Sequence, residues 1–242
     1  MSERDRLRLS FEHVADAYER SRPQYAPDAL TWIAERLPLR RVLDLGAGTG
    51  KLTRQLVALG AEVVAVEPGD EMRAVLHRVL PDVEALAGSA ESIPLPDESV
   101  DVVTAAQAFH WFRTGEALTE IHRVLRPGGG FAFMWNHWDD DDPLLHSLND
   151  LVDALRRNLP DHDEQRDELY SSPLFRTAEA RDFRHAEELP ADVVVERVSS
   201  VSAVSAAEPD VREQMLADVR TLVGAGMVHF PMVTSVVVGD RV

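Results

Sequence analysis

The chain has 242 residues and no cysteine, so it can form neither disulfide bonds nor a cysteine-type zinc site. Its formal net charge of -17 disfavours nucleic acid and anionic membranes as partners, since both bind to basic protein surface. With no apolar run long enough for a membrane span and no apolar leader, we expect a cytoplasmic monomer or homodimer.

Two short helices are predicted before the first strand. Ser10 can cap the first helix, whose apolar face includes Tyr18. Pro27 suits the first turn of the second helix, and Pro38 closes it. A polar stretch that ends at Tyr25 lies between them. The sequence leaves two interpretations open for residues 1–40, a packing extension or a flap over a ligand.

Residues 42–50 predict a buried strand, a glycine turn and the start of a helix. A turn of this kind brings the backbone close to a ligand, and the new helix points its free N–H groups at the same place. The spacing is G-x-G-x-G, and Lys51 stands where a dinucleotide fingerprint has its third small residue. Asp44 precedes the turn and suits a cationic ligand such as S-adenosylmethionine (SAM) better than a pyrophosphate. A dinucleotide oxidoreductase remains the alternative.

Strands and helices alternate after this turn, which indicates a parallel sheet with right-handed crossovers. Glu67 ends the second strand 21 positions after Gly46, the distance at which an acidic side chain reaches ribose hydroxyls. The later strands are predicted at 83–87, 100–105 and 131–135. Ligands bind at the carboxyl ends of such strands, so the loops 46–50, 67–72, 88–94 and 106–112 are expected to face one crevice.

The pattern changes beyond the fifth strand. An acidic run at residues 139–142 precedes an apolar helix stripe over 144–155 and suits a helix N-terminus. A metal site formed by His137 and these aspartates is the alternative. Further on, a strand is predicted at 178–186, helices at 193–198 and 211–223, and a last strand at 227–238. Pro231 cannot donate to a strand ladder, so that last strand should start after it or lie at an edge.

The motifs in this order resemble those of class I SAM-dependent methyltransferases. The matching stretches are residues 43–50 (LDLGAGTG), 63–67 (VVAVE), 88–95 (GSAESIPL), 101–103 (DVV), 107–112 (QAFHWF) and 120–129 (EIHRVLRPGG). The stretch 18–25, the His110–Trp111 pair and Trp135–Asn136 also resemble the small-molecule branch related to trans-aconitate methyltransferase.

This resemblance implies one α/β methyltransferase domain over residues 1–242 with a Rossmann-like seven-stranded sheet. The strand order would be 3-2-1-4-5-7-6, with strand 7 antiparallel and helices on both faces. Residues 1–40 would form a helical cap, 41–136 the SAM-binding half, and 137–242 a C-terminal half with insertions that choose the acceptor. The implied reaction is methylation of a small-molecule acceptor, an O-methylation of a carboxylate or hydroxyl, with S-adenosylhomocysteine as product. A repurposed SAM-binding protein that does not methylate stays open.

The resemblance also implies roles for individual residues. The cofactor-binding residues would be Tyr18, Arg22, Tyr25, Asp44, Gly46, Ala47, Gly48, Glu67, Met72, Ala90, Glu91, Gln107 and Ala108. Arg22 would pair with the methionine carboxylate of SAM, and Glu67 would bind the ribose hydroxyls. Trp111, Trp135 and Trp138 would line the acceptor pocket, and no metal is expected. His110 is either a catalytic base or a hydrogen-bonded structural histidine.

Overall fold

The computed structural model describes residues 15–156 and 169–242, and the predicted cap at Ser10 lies outside them. Within these residues the helices are α1 (Ala15–Ser21), α2 (Pro27–Arg36), α3 (Lys51–Ala58), α4 (Asp70–Val79), α5 (Thr114–Val124), α6 (Pro143–Arg156), α7 (Ala191–Ser199), α8 (Ser202–Ser205) and α9 (Pro209–Val223). The strands are β1 (Arg41–Leu45), β2 (Glu62–Val66), β3 (Glu84–Leu86), β4 (Val100–Ala106), β5 (Leu125–Trp138), β6 (Phe175–Pro190) and β7 (Met227–Arg241). No helix in this part of the chain is long and apolar enough to cross a membrane.

The strands form one seven-stranded sheet in the order β3-β2-β1-β4-β5-β7-β6, as the sequence predicts. Pairing is parallel from β3 through β5. β7 runs antiparallel to β5. Residues that come later in β5 contact residues that come earlier in β7. Gly130 packs against Gly239, whereas the Asp139 N–H just beyond β5 donates to the Pro231 carbonyl. The predicted strand order and the antiparallel last strand are both confirmed.

The chain folds as two compact units. The described residues of unit 1 are 15–23, 136–156 and 184–233, and those of unit 2 are 24–135, 169–183 and 234–242. The boundaries fall inside β5, β6 and β7. Helix α1 belongs to unit 1 and helix α2 to unit 2.

Unit 2 covers both faces of its strands with helices, because successive strand side chains point to opposite sides. On one face, Leu43 and Phe131 pack with the apolar stripe of α5, which includes Ile121. On the other face, Val42 packs with residues of α2 and α3, including Ile33. Two buried layers therefore hold the carboxyl ends of β1, β2 and β4 in place.

Unit 1 has a core of its own. The apolar faces of α6, α7 and α9 meet side chains from β7 in one buried cluster. Phe230 lies at its centre with no exposed surface, and the Trp138 ring meets it edge-on at 5.7 Å. The helices predicted at 144–155, 193–198 and 211–223 are the ones that build this core.

Strand β5 is longer than the sequence predicts. The sequence predicts this strand at 131–135, but β5 already begins at Leu125 and includes the glycines at 128–130. The register with β4 shifts there, since Val100 pairs with Leu125 and Val102 pairs with Gly130. A Cβ on Gly129 would lie 2.5 Å from the Asp101 carbonyl oxygen, so the glycines allow a bulge in close contact with β4.

The last two strands also depart from the prediction. β7 starts at Met227 and includes Pro231, although it lies between β5 and β6 rather than at an edge. The prediction that the last strand starts after Pro231 or lies at an edge was therefore wrong. Its carbonyl still accepts the Asp139 N–H at 3.1 Å, so the residue contributes as an acceptor. β6 extends over Phe175–Pro190, well beyond the predicted 178–186.

Candidate functional site

The glycine turn after β1 packs directly against the segment after β4. Gly46, Gly48 and Gly50 all have positive φ angles, and Gly50 precedes the first turn of α3. The Gly46 N–H donates to the Val66 carbonyl at 2.8 Å, which ties the turn to the end of β2. A Cβ on Gly46 would lie 2.6 Å from the Ala108 Cβ, so only glycine fits there.

Gly48 differs from Gly46 in its surroundings. A Cβ on Gly48 would meet no atom within 4 Å, so this side of the turn is open. Helix α3 begins directly after Gly50, so the turn lies at the N-terminal end of this helix. The turn therefore has room for a ligand against its backbone.

Glu67 bridges two loops at the end of β2. Its Oε2 accepts the Gly48 N–H at 2.9 Å, and its Oε1 accepts the Gly69 N–H at 2.8 Å. The Arg73 guanidinium donates to the Glu67 carbonyl at 2.6 Å. The carboxylate therefore fixes the turn after β1 to the start of α4, and a carboxylate oxygen can accept more than one hydrogen bond.

Asp44 is almost fully buried beneath the same turn. Its carboxylate accepts the Thr53 hydroxyl at 2.6 Å and the Thr104 hydroxyl at 3.2 Å. Burial raises the pKa of Asp44 to about 6, partly opposed by the two hydroxyl hydrogen bonds, while the nearby Glu67 charge raises it further. Neither threonine belongs to a motif that marks it in the sequence. Thr104 lies opposite Asp44 in the β1–β4 register, which only the pairing of the two strands reveals.

The residues expected near the adenine lie in the loops after β2 and β3. Met72 and Ala90 are both buried, and Met72 lies against Gly69. The Glu91 carboxylate accepts the Arg113 N–H at 2.8 Å, just before α5. Burial raises the pKa of Glu91, but the hydrogen bonds from Arg113 and Ser89 outweigh it and lower the pKa overall.

The segment after β4 carries the aromatic residues. Gln107 adopts a left-handed conformation with φ of 54°, and its N–H donates to the Met134 carbonyl at 2.9 Å. His110 and Trp111 follow on a short 3₁₀ helix, with their ring centroids 4.8 Å apart. The Trp135 ring lies 6.5 Å from that of Phe109, which is itself a core residue.

The remaining predicted site residues are distributed over both units. Tyr25 is buried in unit 2, where its N–H and carbonyl both bond the Gln55 side chain. Tyr18 and Arg22 lie in unit 1, with the Arg22 guanidinium 5.2 Å from the Tyr18 ring centroid. Trp138 packs in the unit 1 core.

The acidic run after β5 is engaged in structural contacts. Asp142 accepts the Leu144 and Leu145 N–H groups and so caps α6. Arg184 forms ion pairs with Asp139 at 2.6 Å and with Asp141 at 2.7 Å. In the described parts of the chain, no group of three or more histidine or acidic side chains could hold a metal ion.

Comparison with known proteins identifies the class of this fold and site. The sequence model of the methyltransferase domain matches residues 43–133, which contain the glycine turn and Glu67. An uncharacterised methyltransferase of Mycobacterium tuberculosis is 41% identical over 221 residues, covering 91% of this chain and 88% of its own length. A malonyl-[acyl-carrier protein] O-methyltransferase of Methylococcus capsulatus is 43% identical over 102 residues, covering 40% and 37% of the two chains.

Solved structures agree with these relatives. A candidate type II methyltransferase from Anaeromyxobacter dehalogenans aligns with a TM-score of 0.69 and 28% identity, covering 91% of this chain and 97% of that one. A geranyl diphosphate methyltransferase solved with SAM shares the fold, with a TM-score of 0.53, 14% identity and coverage of 89% and 85%. The chain belongs to the methyltransferase family. It is a SAM-dependent methyltransferase, and the oxidoreductase alternative does not hold.

Proposed function

We propose that this methyltransferase acts on a small molecule and methylates a carboxylate oxygen. Bound SAM supplies an electrophilic methyl group, whose transfer to that oxygen gives a methyl ester and S-adenosylhomocysteine. The net charge of -17 favours a small acceptor over nucleic acid. The protein's own contribution is then to position the two reactants and to exclude water.

The proposal for cofactor binding uses unit 2, within residues 41–136. Gly46, Ala47 and Gly48 would face the methionine part of SAM, and the open side of Gly48 supports this. Glu67 would accept the ribose hydroxyls, since each of its oxygens can accept a further hydrogen bond beside those from Gly48 and Gly69. The adenine would lie near Met72, Ala90 and Glu91, above Gln107 and Ala108.

The hydrogen bonds of the acidic side chains support a carboxylate as the acceptor. Asp44, Glu67 and Glu91 are the three acids predicted at the site, and each accepts hydrogen bonds from the protein itself. Under the proposal these three carboxylates hold the loops and the cofactor, and none of them is assigned to remove a proton from an incoming hydroxyl. A carboxylic acid has a pKa of ~4 and is already ionised at neutral pH, so it needs no base.

A similar protein supports the same choice of acceptor. The Methylococcus capsulatus relative is named as an O-methyltransferase of a malonyl group, which carries a free carboxylate. Under this proposal His110 orients the acceptor or shapes its pocket beside Trp111 and Trp135, rather than removing a proton.

The test follows from the stability of the product. The enzyme is incubated with methyl-labelled SAM and a panel of carboxylic acids, phenols and amines, and the products are treated with dilute alkali. A methyl ester releases its label as methanol, whereas an aryl ether or an N-methyl group does not. We expect labelled methanol with the carboxylic acids. Label that appears only in alkali-stable products would contradict the proposal.

A further inference from the structure

The loop between β3 and β4, residues 87–99, carries two of the residues proposed to lie near the adenine. It contains no helix and no strand of the sheet, only an isolated bridge between Ser89 and Ser92. Ala90 is buried in this loop and Glu91 is partly buried. Because the loop lacks regular backbone pairing, the positions of Ala90 and Glu91 depend on other contacts that hold the loop in place.

Arg123 on α5 binds this loop with its whole guanidinium group. Its Nη1 donates to the Leu95 carbonyl and to the Asp97 carboxylate, both at 2.8 Å. Its Nη2 donates to the Ile93 carbonyl at 2.9 Å. Two further bonds, from Nε and Nη2, go to the Glu120 carboxylate at 2.7 Å each. These five hydrogen bonds match the five N–H donors of an arginine, and the three donors of a lysine could not replace them.

Glu120 precedes Arg123 by three residues on the same helix and binds the loop as well. Its Oε2 accepts the Ile93 N–H at 2.9 Å, so the two side chains together bind both the N–H and the carbonyl of one loop residue. The hydrogen bond from Arg123 lowers the pKa of Glu120, and the acidic partners raise the pKa of Arg123. Both groups are therefore charged at neutral pH, which strengthens the hydrogen bonds that they form.

The start of α5 holds the part of the loop that lies closest to the proposed adenine. The Glu91 carboxylate accepts the N–H of Arg113, the residue just before α5, at 2.8 Å. Hydrogen bonds from this helix and its first residue thus reach positions 91, 93, 95 and 97 of the loop. Helix α5 itself is fixed to the sheet by buried side chains such as Ile121, and all these residues belong to unit 2. The geometry of the loop is therefore set by α5.

We propose that Arg123 and Glu120 are positioning residues for the adenine of SAM and act through the β3–β4 loop. Recognition of the edge of a base requires donors and acceptors placed to within a fraction of an ångström. Releasing the loop should therefore reduce the selectivity for adenine. The inference rests on the proposed position of the adenine near Ala90 and Glu91, but it does not depend on the proposed acceptor.

The test uses three variants and a matched control. Arg123→Met removes all five donors, and Arg123→Lys keeps the charge but loses the planar arrangement of donors. Glu120→Gln keeps an oxygen for the Ile93 N–H but loses the negative charge. Arg41→Met is the control, because the Arg41 side chain is 33% exposed, close to the 29% of Arg123, and also forms an ion pair at 2.8 Å, with Glu62. It lies at the other end of β1 from the glycine turn.

Two ligands that differ only in the base provide the assay. Calorimetry measures the Kd of S-adenosylhomocysteine and of S-inosylhomocysteine, in which an oxygen acceptor replaces the amino donor of adenine. A site that binds the adenine edge by hydrogen bonds rejects such an analogue. Amide hydrogen exchange of residues 88–97 in the same proteins reports whether the loop has been released.

We expect the wild type and Arg41→Met to prefer S-adenosylhomocysteine by about tenfold or more. In Arg123→Met the Kd of this ligand should rise about tenfold, the Kd of the inosine analogue should change less than about threefold, and residues 88–97 should exchange faster. Arg123→Lys should lose most of the preference, and Glu120→Gln should lie between Arg123→Met and the wild type. If Arg123→Met fails to fold, Glu120→Gln decides, since it leaves the bonds from Arg123 to Leu95 and Asp97 in place.

Three results would overturn the inference. Faster exchange with an unchanged preference for adenine would show that the two side chains only stabilise the loop. A lost preference without faster exchange would show that Arg123 does not act through the loop. Equal binding of both ligands by the wild type would also refute the proposed position of the adenine. By contrast, alkali-stable methylated products together with a lost preference in Arg123→Met would refute the proposed acceptor and leave this inference standing.

Discussion

Replacing Gly46 or Gly48 with alanine should have different effects, although both glycines belong to one turn. Both have left-handed backbones, with φ of 71° and 57°, so both variants incur the backbone cost of about 1–2 kcal/mol. Only at Gly46 does the new Cβ overlap another atom, the Ala108 Cβ at 2.6 Å. Ala108 has no flexible end that could move away, so overpacking adds about 1–3 kcal/mol.

We therefore expect the free energy of unfolding to fall by about 1–2 kcal/mol in Gly48→Ala and by about 2–5 kcal/mol in Gly46→Ala. SAM affinity should fall tenfold or more in Gly48→Ala, because its Cβ enters the space proposed for the ligand. Urea denaturation measures the first quantity and calorimetry the second. Equal losses of stability would refute the close contact with Ala108. Unchanged SAM affinity in a folded Gly48→Ala variant would refute the proposed position of the ligand.

Three further predictions concern the titratable side chains. Glu67→Ala should weaken SAM binding tenfold or more, a loss of about 1.4 kcal/mol that calorimetry measures. Glu84→Ala on the next strand is the control and should bind SAM like the wild type. Equal SAM affinities of the two variants would remove Glu67 from the site. Asp44 has a higher pKa folded than unfolded, so it binds more protons when folded, and its contribution to stability is lost as pH rises from 3.8 to about 6. Urea denaturation at several pH values in that range measures the free energy of unfolding. That of the wild type should fall by on the order of 3 kcal/mol relative to that of Asp44→Asn. A difference between the two proteins that does not change with pH would contradict this prediction. His110→Ala should lower kcat less than ~30-fold and leave the pH profile flat from ~6 to 8, with His77→Ala as control; a ~10³-fold loss would make His110 the general base.

Local patterns were sufficient to predict the strand order and the glycine turn. The alternation of strands and helices determines the crossovers, and each crossover is decided by residues close together in sequence. The predicted ends of the strands were wrong where pairing within the sheet overrides the local preference of the sequence. The glycines at 128–130 indicate a turn when taken alone, yet the strand continues through them because β4 and β7 lie against their backbone. Pro231 is misleading for the same reason, since its carbonyl contributes even though it has no N–H.

The same distinction applies to the candidate site, where some residues follow from a local motif and others do not. The glycines and Glu67 belong to a motif whose spacing along the chain is fixed by one strand-turn-helix unit, so their positions could be predicted. Thr53 and Thr104 could not, because their importance depends on the buried carboxylate between them. Arg197 carries no sequence signal at all. Its contact with Ser21 joins residues 176 positions apart, and nothing in the local pattern of α7 distinguishes it from a surface arginine.

These differences bear on how far a sequence motif can identify the cofactor and the acceptor. Cofactor binding depends on backbone geometry after β1 and β2, which many sequences of this fold can supply, so the motif identifies the reaction but not the substrate. Side chains such as Arg22 and Arg197 are brought together by contacts distant in sequence, so no local motif reveals them.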